Sequence, residues 1–186
     1  GVPFAQEVAR AKEPPDWYVI EASSYQLALS PTLMPKVMVY TNYAPDHLSW
    51  HGGEEAYVAA KAEIAHRLPA DSFVVYPLDG GPLTEAVKGG KAKEITLGPL
   101  RSKASVKLDT RSGRISADLL SVDLDSHAGD FPYQWRLVSC ALHATLGVAQ
   151  AMEFELETLL SGLAQFKQLE HRLEDAGKIG HVRFIN

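Results

Sequence analysis

A chain of 186 residues, 46% of them hydrophobic, is long enough to bury a real core and is expected to form one domain. Its net charge of -5 argues against a nucleic-acid surface. No apolar run approaches a membrane span, no basic-then-apolar leader opens the sequence, and the one cysteine, Cys140, has no partner for an internal disulfide, so a reducing cytoplasm is the expected compartment.

Residues 5–12 read as a short helix, ended by Glu13-Pro14-Pro15-Asp16. Trp17-Tyr18-Val19-Ile20 is too short an apolar run for a helix and predicts a buried strand of parallel-sheet type, with Glu21 at its carboxyl end. Pro31 and Pro35 punctuate the next connection, and residues 36–42 read as a second strand. A helix is expected over 54–68, with Glu54 and Glu55 suited to the positive end of its dipole. Residues 72–76 form a third strand, closed by the turn signal Asp79-Gly80-Gly81-Pro82. A weak helix and a strand over 94–97 follow. The alternation implies an α/β fold with a mainly parallel sheet flanked by helices.

From Ala104 the pattern changes. Residues 106–108 and 114–117 flank Arg111-Ser112-Gly113 as an antiparallel hairpin, a small appendage to the parallel layer. Helices are expected over 134–152 and 156–166. A second hairpin is expected from Arg172-Leu173-Glu174 and 182–185, around Gly177 and Gly180. The beginning at Gly1 and the end at Asn186, straight after a strand-like run, read as cuts from something longer.

Three side chains stand out for chemistry. On a helical projection of 54–68, Tyr57, Lys61, Ile64 and Leu68 share one narrow arc, so Lys61 lies in the apolar stripe. Loss of hydration there lowers a lysine's pKa and leaves a neutral amine, although a half-exposed stripe lets the amine reach water. Ala59, Ala60 and Ala62 leave room beside it for something bulky, and a neutral amine can take up CO2 to become a carboxylate-like metal ligand. Glu21 and His47 each follow an expected strand, where ligands gather in open α/β sheets, and they are the partners such an amine needs around magnesium. Ser23 and Ser24 offer hydroxyls or a helix cap. His47 and His51 have the four-residue spacing of a zinc pair, but Pro45 before them and Gly52-Gly53 after them disfavour the helix that such a pair needs. Lys88-Gly89-Gly90-Lys91-Ala92-Lys93 lacks the spacing of a phosphate loop and reads as a solvated turn. No nucleophile with a paired base is visible, since Cys140 falls inside an expected helix.

Glu21-Ala22-Ser23-Ser24-Tyr25-Gln26-Leu27, then Thr41-Asn42-Tyr43-Ala44-Pro45-Asp46-His47-Leu48, then Tyr57-Val58-Ala59-Ala60-Lys61, together resemble the central domain of the Mur ligases. Those are ATP-dependent amide-forming enzymes of peptidoglycan precursor synthesis. The first motif is most similar to the branch that adds D-glutamate to UDP-N-acetylmuramoyl-L-alanine. Leu169-Glu170-His171-Arg172-Leu173-Glu174, then Val182-Arg183-Phe184-Ile185-Asn186, is similar to the end of that domain.

The resemblance implies a sheet like that of P-loop NTPases and a catalytic set of Glu21, His47 and Lys61. Glu21 is then expected to hold one Mg2+ near the ATP phosphates, and His47 with a carbamate on Lys61 a second. Ser23 and Gln26 are expected on the UDP-muramoyl substrate, with His171 and Arg172 on the nucleotide side. ATP is expected to phosphorylate the substrate carboxylate, and the D-glutamate amine to attack the acyl phosphate.

By the same resemblance, residues 1–186 are a single truncated central domain. The N-terminal UDP-binding domain, the phosphate loop with its strand, and the C-terminal domain lie outside it. The fragment by itself is expected to be inactive and either to pair with another chain through an unpaired sheet edge or to be only marginally stable, whereas the full-length bacterial enzyme is expected to be a cytoplasmic monomer without nucleic-acid or membrane partners. Ser49 stands where the family usually has aspartate and Glu170 where it has proline. Trp135-Arg136-Leu137-Val138-Ser139-Cys140-Ala141 lacks the asparagines that contact adenine. Two other readings remain open: a non-catalytic binding or scaffold domain derived from such a ligase, and a related ligase for another amino acid.

Overall fold

Strands that are apolar at every position need cover on both faces. The computed structural model, which describes residues 3–117, 121–130, 138–166 and 175–185, has that cover. Its main sheet runs in the order β1 (Val37–Val39), β2 (Phe73–Pro77), β3 (Lys93–Gly98), β4 (Val106–Leu108), β5 (Arg114–Ser116) and β6 (Ser121–Asp123). β1 to β4 pair parallel, and β4 to β6 pair antiparallel. The antiparallel part therefore continues the same sheet. It also carries a third strand, β6, that the hairpin signal does not announce.

The helices are α1 (Phe4–Arg10), α2 (Ser24–Ala28), α3 (Leu48–His51), α4 (Glu54–Arg67), α5 (Gly81–Val87), α6 (Ser139–Ala151) and α7 (Leu156–Gln165). Alternation along β2 sorts them into two layers. Val74 and Tyr76 point to one face and pack with Tyr57, Val58, Ala62 and Ala65 of α4 and with Leu83 and Val87 of α5. Val75 points to the other face, into a cluster with Leu142, Leu146 and Ala149 of α6 and Leu159 of α7. Small residues set the spacing on the α6 side. A Cβ on Gly147 would overlap Val75 Cγ1 and lie 3.0 Å from Leu97 Cδ2, so only glycine lets α6 sit this close to β2 and β3.

α4 and α5 are the crossovers of two parallel units, β1-α4-β2 and β2-α5-β3. β3 and β4 are parallel with only residues 99–105 between them. That short link suffices because Leu97 pairs with Val106 and Gly98 with Lys107, so β4 starts level with the end of β3. Ser105 N–H donates to Thr96 Oγ1 at 3.0 Å and Ser102 Oγ to the Pro99 carbonyl at 2.7 Å, which fixes the turn. No helix among the described residues is long and apolar enough to cross a membrane.

Several expectations shift. Residues 17–20 form no strand, and their side chains are exposed, Val19 fully so at 101%. A strand is a pairing rather than a local conformation, and none of the six strands takes up this backbone. A one-turn helix, α3, does form between Pro45 and Gly52, because Gly52 and Gly53 at φ 83° and 139° close it after a single turn. The second hairpin comprises β7 (Asp175–Ile179) and β8 (Val182–Ile185), with Gly177 at a bulge in β7 and Gly180 in the turn. Its expected first arm, Arg172-Leu173-Glu174, and residues 134–137 of the expected long helix lie outside the described residues. The described part of that helix starts at Ser139.

Candidate functional site

The site gathers where the chain leaves β1 and enters α4. The loop after β1 carries Asp46 and His47, and His47 sits in the left-handed region at φ 54° as the N-cap of α3. Its own N–H donates to Asp46 Oδ1 at 2.7 Å, and its Nε2 lies 3.3 Å from Asp46 Oδ2. One carboxylate thus holds both the backbone and the ring of His47. A left-handed conformation in a non-glycine residue costs about 1–2 kcal/mol and persists only where surrounding contacts impose it.

Lys61 lies on α4 and is half-buried. Burial pushes its ammonium pKa down, and the negative charge of Asp46 works in the opposite direction. The amine stands 5.2 Å from the centre of the Tyr57 ring, and Tyr40 O–H donates to the Lys61 carbonyl at 2.6 Å. Tyr57 donates to the Ala44 carbonyl at 3.2 Å, and burial, then the Asp46 charge, raises its pKa. Asp46 is therefore common to His47, Lys61 and Tyr57. Sequence reading placed His47 and Lys61 here but gave no role to Asp46, whose signal was its place directly before the histidine.

Ser23 and Gln26 form a capping box at the start of α2. Ser23 N–H donates to Gln26 Oε1 at 2.8 Å, and Gln26 N–H donates to Ser23 Oγ at 3.3 Å. These two side chains hold each other and are exposed. Glu21 is exposed two residues earlier and lines an open groove of about 500 Å³ with Phe4, Ile20, Gln26, Leu29 and Met34. α2, which follows Glu21, meets the turn that carries His47: the Tyr25 ring lies 4.9 Å from that of His47, and the Ser24 hydroxyl bonds to His51 Nε2. Among the described residues no three His, Cys, Asp or Glu side chains gather around one point. The expected ligand set has only two such groups, its third member being a lysine. His171 and Arg172 lie outside the described residues.

The donor chemistry fits a hard divalent cation on one condition. Carboxylate oxygens suit magnesium, and one imidazole can join them, but a protonated Lys61 would repel it. Burial shifts Lys61 in the direction that removes this obstacle.

A mainly parallel sheet, with His47 in the loop after one strand and the half-buried Lys61 on a following helix, defines an open α/β domain whose candidate site lies beyond the carboxyl end of that strand. The chain belongs to the Mur ligase family, whose middle-domain pattern matches residues 2–138. It is 34% identical to the UDP-N-acetylmuramoylalanine–D-glutamate ligase of Pelotomaculum thermopropionicum, over 100% of this chain and 41% of that protein. It is 32% identical to the ligase of the same name from Caulobacter vibrioides strain NA1000, over 91% of this chain and 37% of that protein. The chain thus spans about two fifths of the length of these relatives. Among solved structures, MurF from Acinetobacter baumannii matches with a TM-score of 0.61 at 22% identity, covering 87% of this chain and 35% of that one. A UDP-N-acetylmuramoyl-L-alanyl-D-glutamate–2,6-diaminopimelate ligase matches at 0.63 and 20% identity, covering 85% and 34%. These two likenesses establish the fold.

Proposed function

We propose that the chain is the central, ATP-binding domain of a longer ligase that joins D-glutamate to UDP-N-acetylmuramoyl-L-alanine in peptidoglycan precursor synthesis. The observation that carries this reading is Lys61, a half-buried amine beside Asp46 and one loop away from His47. The relatives' shared name supports the choice of D-glutamate.

In this reading Lys61, carbamylated, and His47 hold one magnesium ion, and Glu21 holds a second. Bound magnesium would supply the positive charge needed to bring phosphate and carboxylate oxygens together. The chain's own residues do the rest. Asp46 fixes the orientation of His47 through two contacts, and Tyr40 pins the helical carbonyl of Lys61 so that its side chain leaves α4 at a set angle. Ser23 and Gln26, exposed at the start of α2, face the UDP-linked acceptor, while His171 and Arg172 serve the nucleotide. The phosphate loop and the partner domains belong to the rest of the longer protein, so the 186-residue chain by itself has no ligase activity.

The test is amino-acid-dependent phosphate release by the longer protein with ATP, Mg2+ and UDP-N-acetylmuramoyl-L-alanine. D-glutamate should drive turnover, and Lys61→Arg should lower kcat by about a hundredfold or more, because a permanently charged guanidinium cannot become a metal ligand. Turnover with another amino acid instead would identify a related ligase. No turnover with any would favour a scaffold descended from one. Activity in the isolated chain would overturn the proposed division of labour.

A further inference from the structure

His51 stands apart from the metal candidates. Ser24, Ser72 and Thr84 are the buried polar residues among those described, and the Ser24 hydroxyl is met by His51 Nε2 at 2.9 Å. The histidine ring is held by its neighbours. Tyr25 stacks on it at 5.6 Å between centres, and Trp50 and Tyr57 meet it edge-on at 4.6 and 5.4 Å. Boxed on these sides, the ring cannot swing away from Ser24 without giving up its aromatic contacts. Gly53 N–H donates to the Leu48 carbonyl at 3.0 Å, which closes α3 immediately after His51.

What this contact holds is a weak element. α2 has five residues, far below the length at which a helix sustains itself in water. Its anchors are the buried Leu27 on an element that meets α4, the Tyr25 ring set against His47, Trp50 and His51, and Ser24, the one of the three held by a hydrogen bond to α3. We propose that His51 is a positioning residue, whose hydrogen bond to Ser24 latches α2 onto the turn that starts at His47. The latch sets the distance between Ser23 and Gln26 on one side and His47 and Lys61 on the other. Its consequence for catalysis rests on the ligase reading above, but the latch itself does not.

The test therefore has two arms. In the chain as it stands, amide hydrogen exchange is read at Leu27 and Leu29, whose N–H groups donate to the carbonyls of Ser23 at 3.0 Å and Tyr25 at 3.1 Å. His51→Phe and Ser24→Ala should each speed exchange there by about tenfold, the double variant no further, and His51→Gln much less. The Tyr40 amide, bonded to the Val75 carbonyl in the sheet, should not change and reports that the variants are folded. Unchanged exchange at α2, or effects that multiply in the double variant, would overturn the latch.

In the longer protein, His51→Phe should raise KM for the UDP-linked acceptor by about tenfold and leave KM for ATP within about twofold, with His51→Gln close to wild type. A fall in kcat alone, or equal shifts for both substrates, would overturn the positioning role. If wild-type protein turns over no D-glutamate, the ligase reading fails while the exchange arm still decides the latch.

Discussion

Val74-Val75-Tyr76 and Tyr18-Val19-Ile20 are nearly the same run of residues with opposite fates. The first is the buried centre of β2, none of its residues more than 2% exposed. The second joins no strand among the described residues and is open to solvent. Hydropathy does not separate them. β2 has strands on both sides and a helical layer on each face, so every backbone group finds a partner and every side chain a cavity. Among the described residues no strand pairs with residues 17–20. Burial of an apolar run is thus decided by what pairs with its backbone, and apolar surface follows.

This contrast can be broken or sharpened by experiment. Leu97→Ala should produce the largest effect, a loss of about 2–5 kcal/mol, because it empties the contact between β3 and α6. Gly147→Ala should cost about 1–3 kcal/mol for the opposite reason, since its new methyl has no space against Val75. Denaturant midpoints measure both, and a neutral Gly147→Ala would show that α6 can move off the sheet.

A pH effect comes next. His143 lies on α6, where burial lowers its imidazolium pKa against the opposing pulls of the Val106 carbonyl and Asp79. The folded state therefore prefers neutral His143. Its contribution is present above the ordinary histidine value of 6.5 and drains away as pH falls below it, because the unfolded chain binds the proton first. Stability should drop between about pH 7 and about pH 5, less steeply in His143→Gln, as denaturation at a series of pH values would show. Val19→Ser should be the smallest effect, within about 0.5 kcal/mol. A large loss there would mean that residues 17–20 are paired and buried in solution, and the comparison would fail.

Much of the architecture was legible because its signals are local. The apolar runs of β2 and β3, the Gly-Pro start of α5 and the acidic start of α4 are written in adjacent residues. The odd position of Lys61 was visible too, since helical periodicity alone puts it in the stripe with Tyr57 and Ile64, and both of these are buried. Ser23 announced a cap and is one.

The failures share a different cause. Residues 17–20 have the composition of a strand, but pairing belongs to two segments at once. β6 and the continuation of the sheet past β4 depend on register, which the hairpin's own residues do not express. Four-residue spacing is all that the sequence offers about His51, and it suggests a metal partner for His47. In the fold the His51 ring turns instead to Ser24, 27 residues earlier in the chain.

The sequence by itself determined most of the elements, the family and the unusual lysine, because periodicity, capping and motif order act over a few residues. Only the tertiary structure decided which apolar run is buried, that the charge of Asp46 acts on Lys61 and Tyr57, and that His51 faces a serine. Those relations join segments that are apart in the chain, and their energies exist only once the fold has brought the segments side by side.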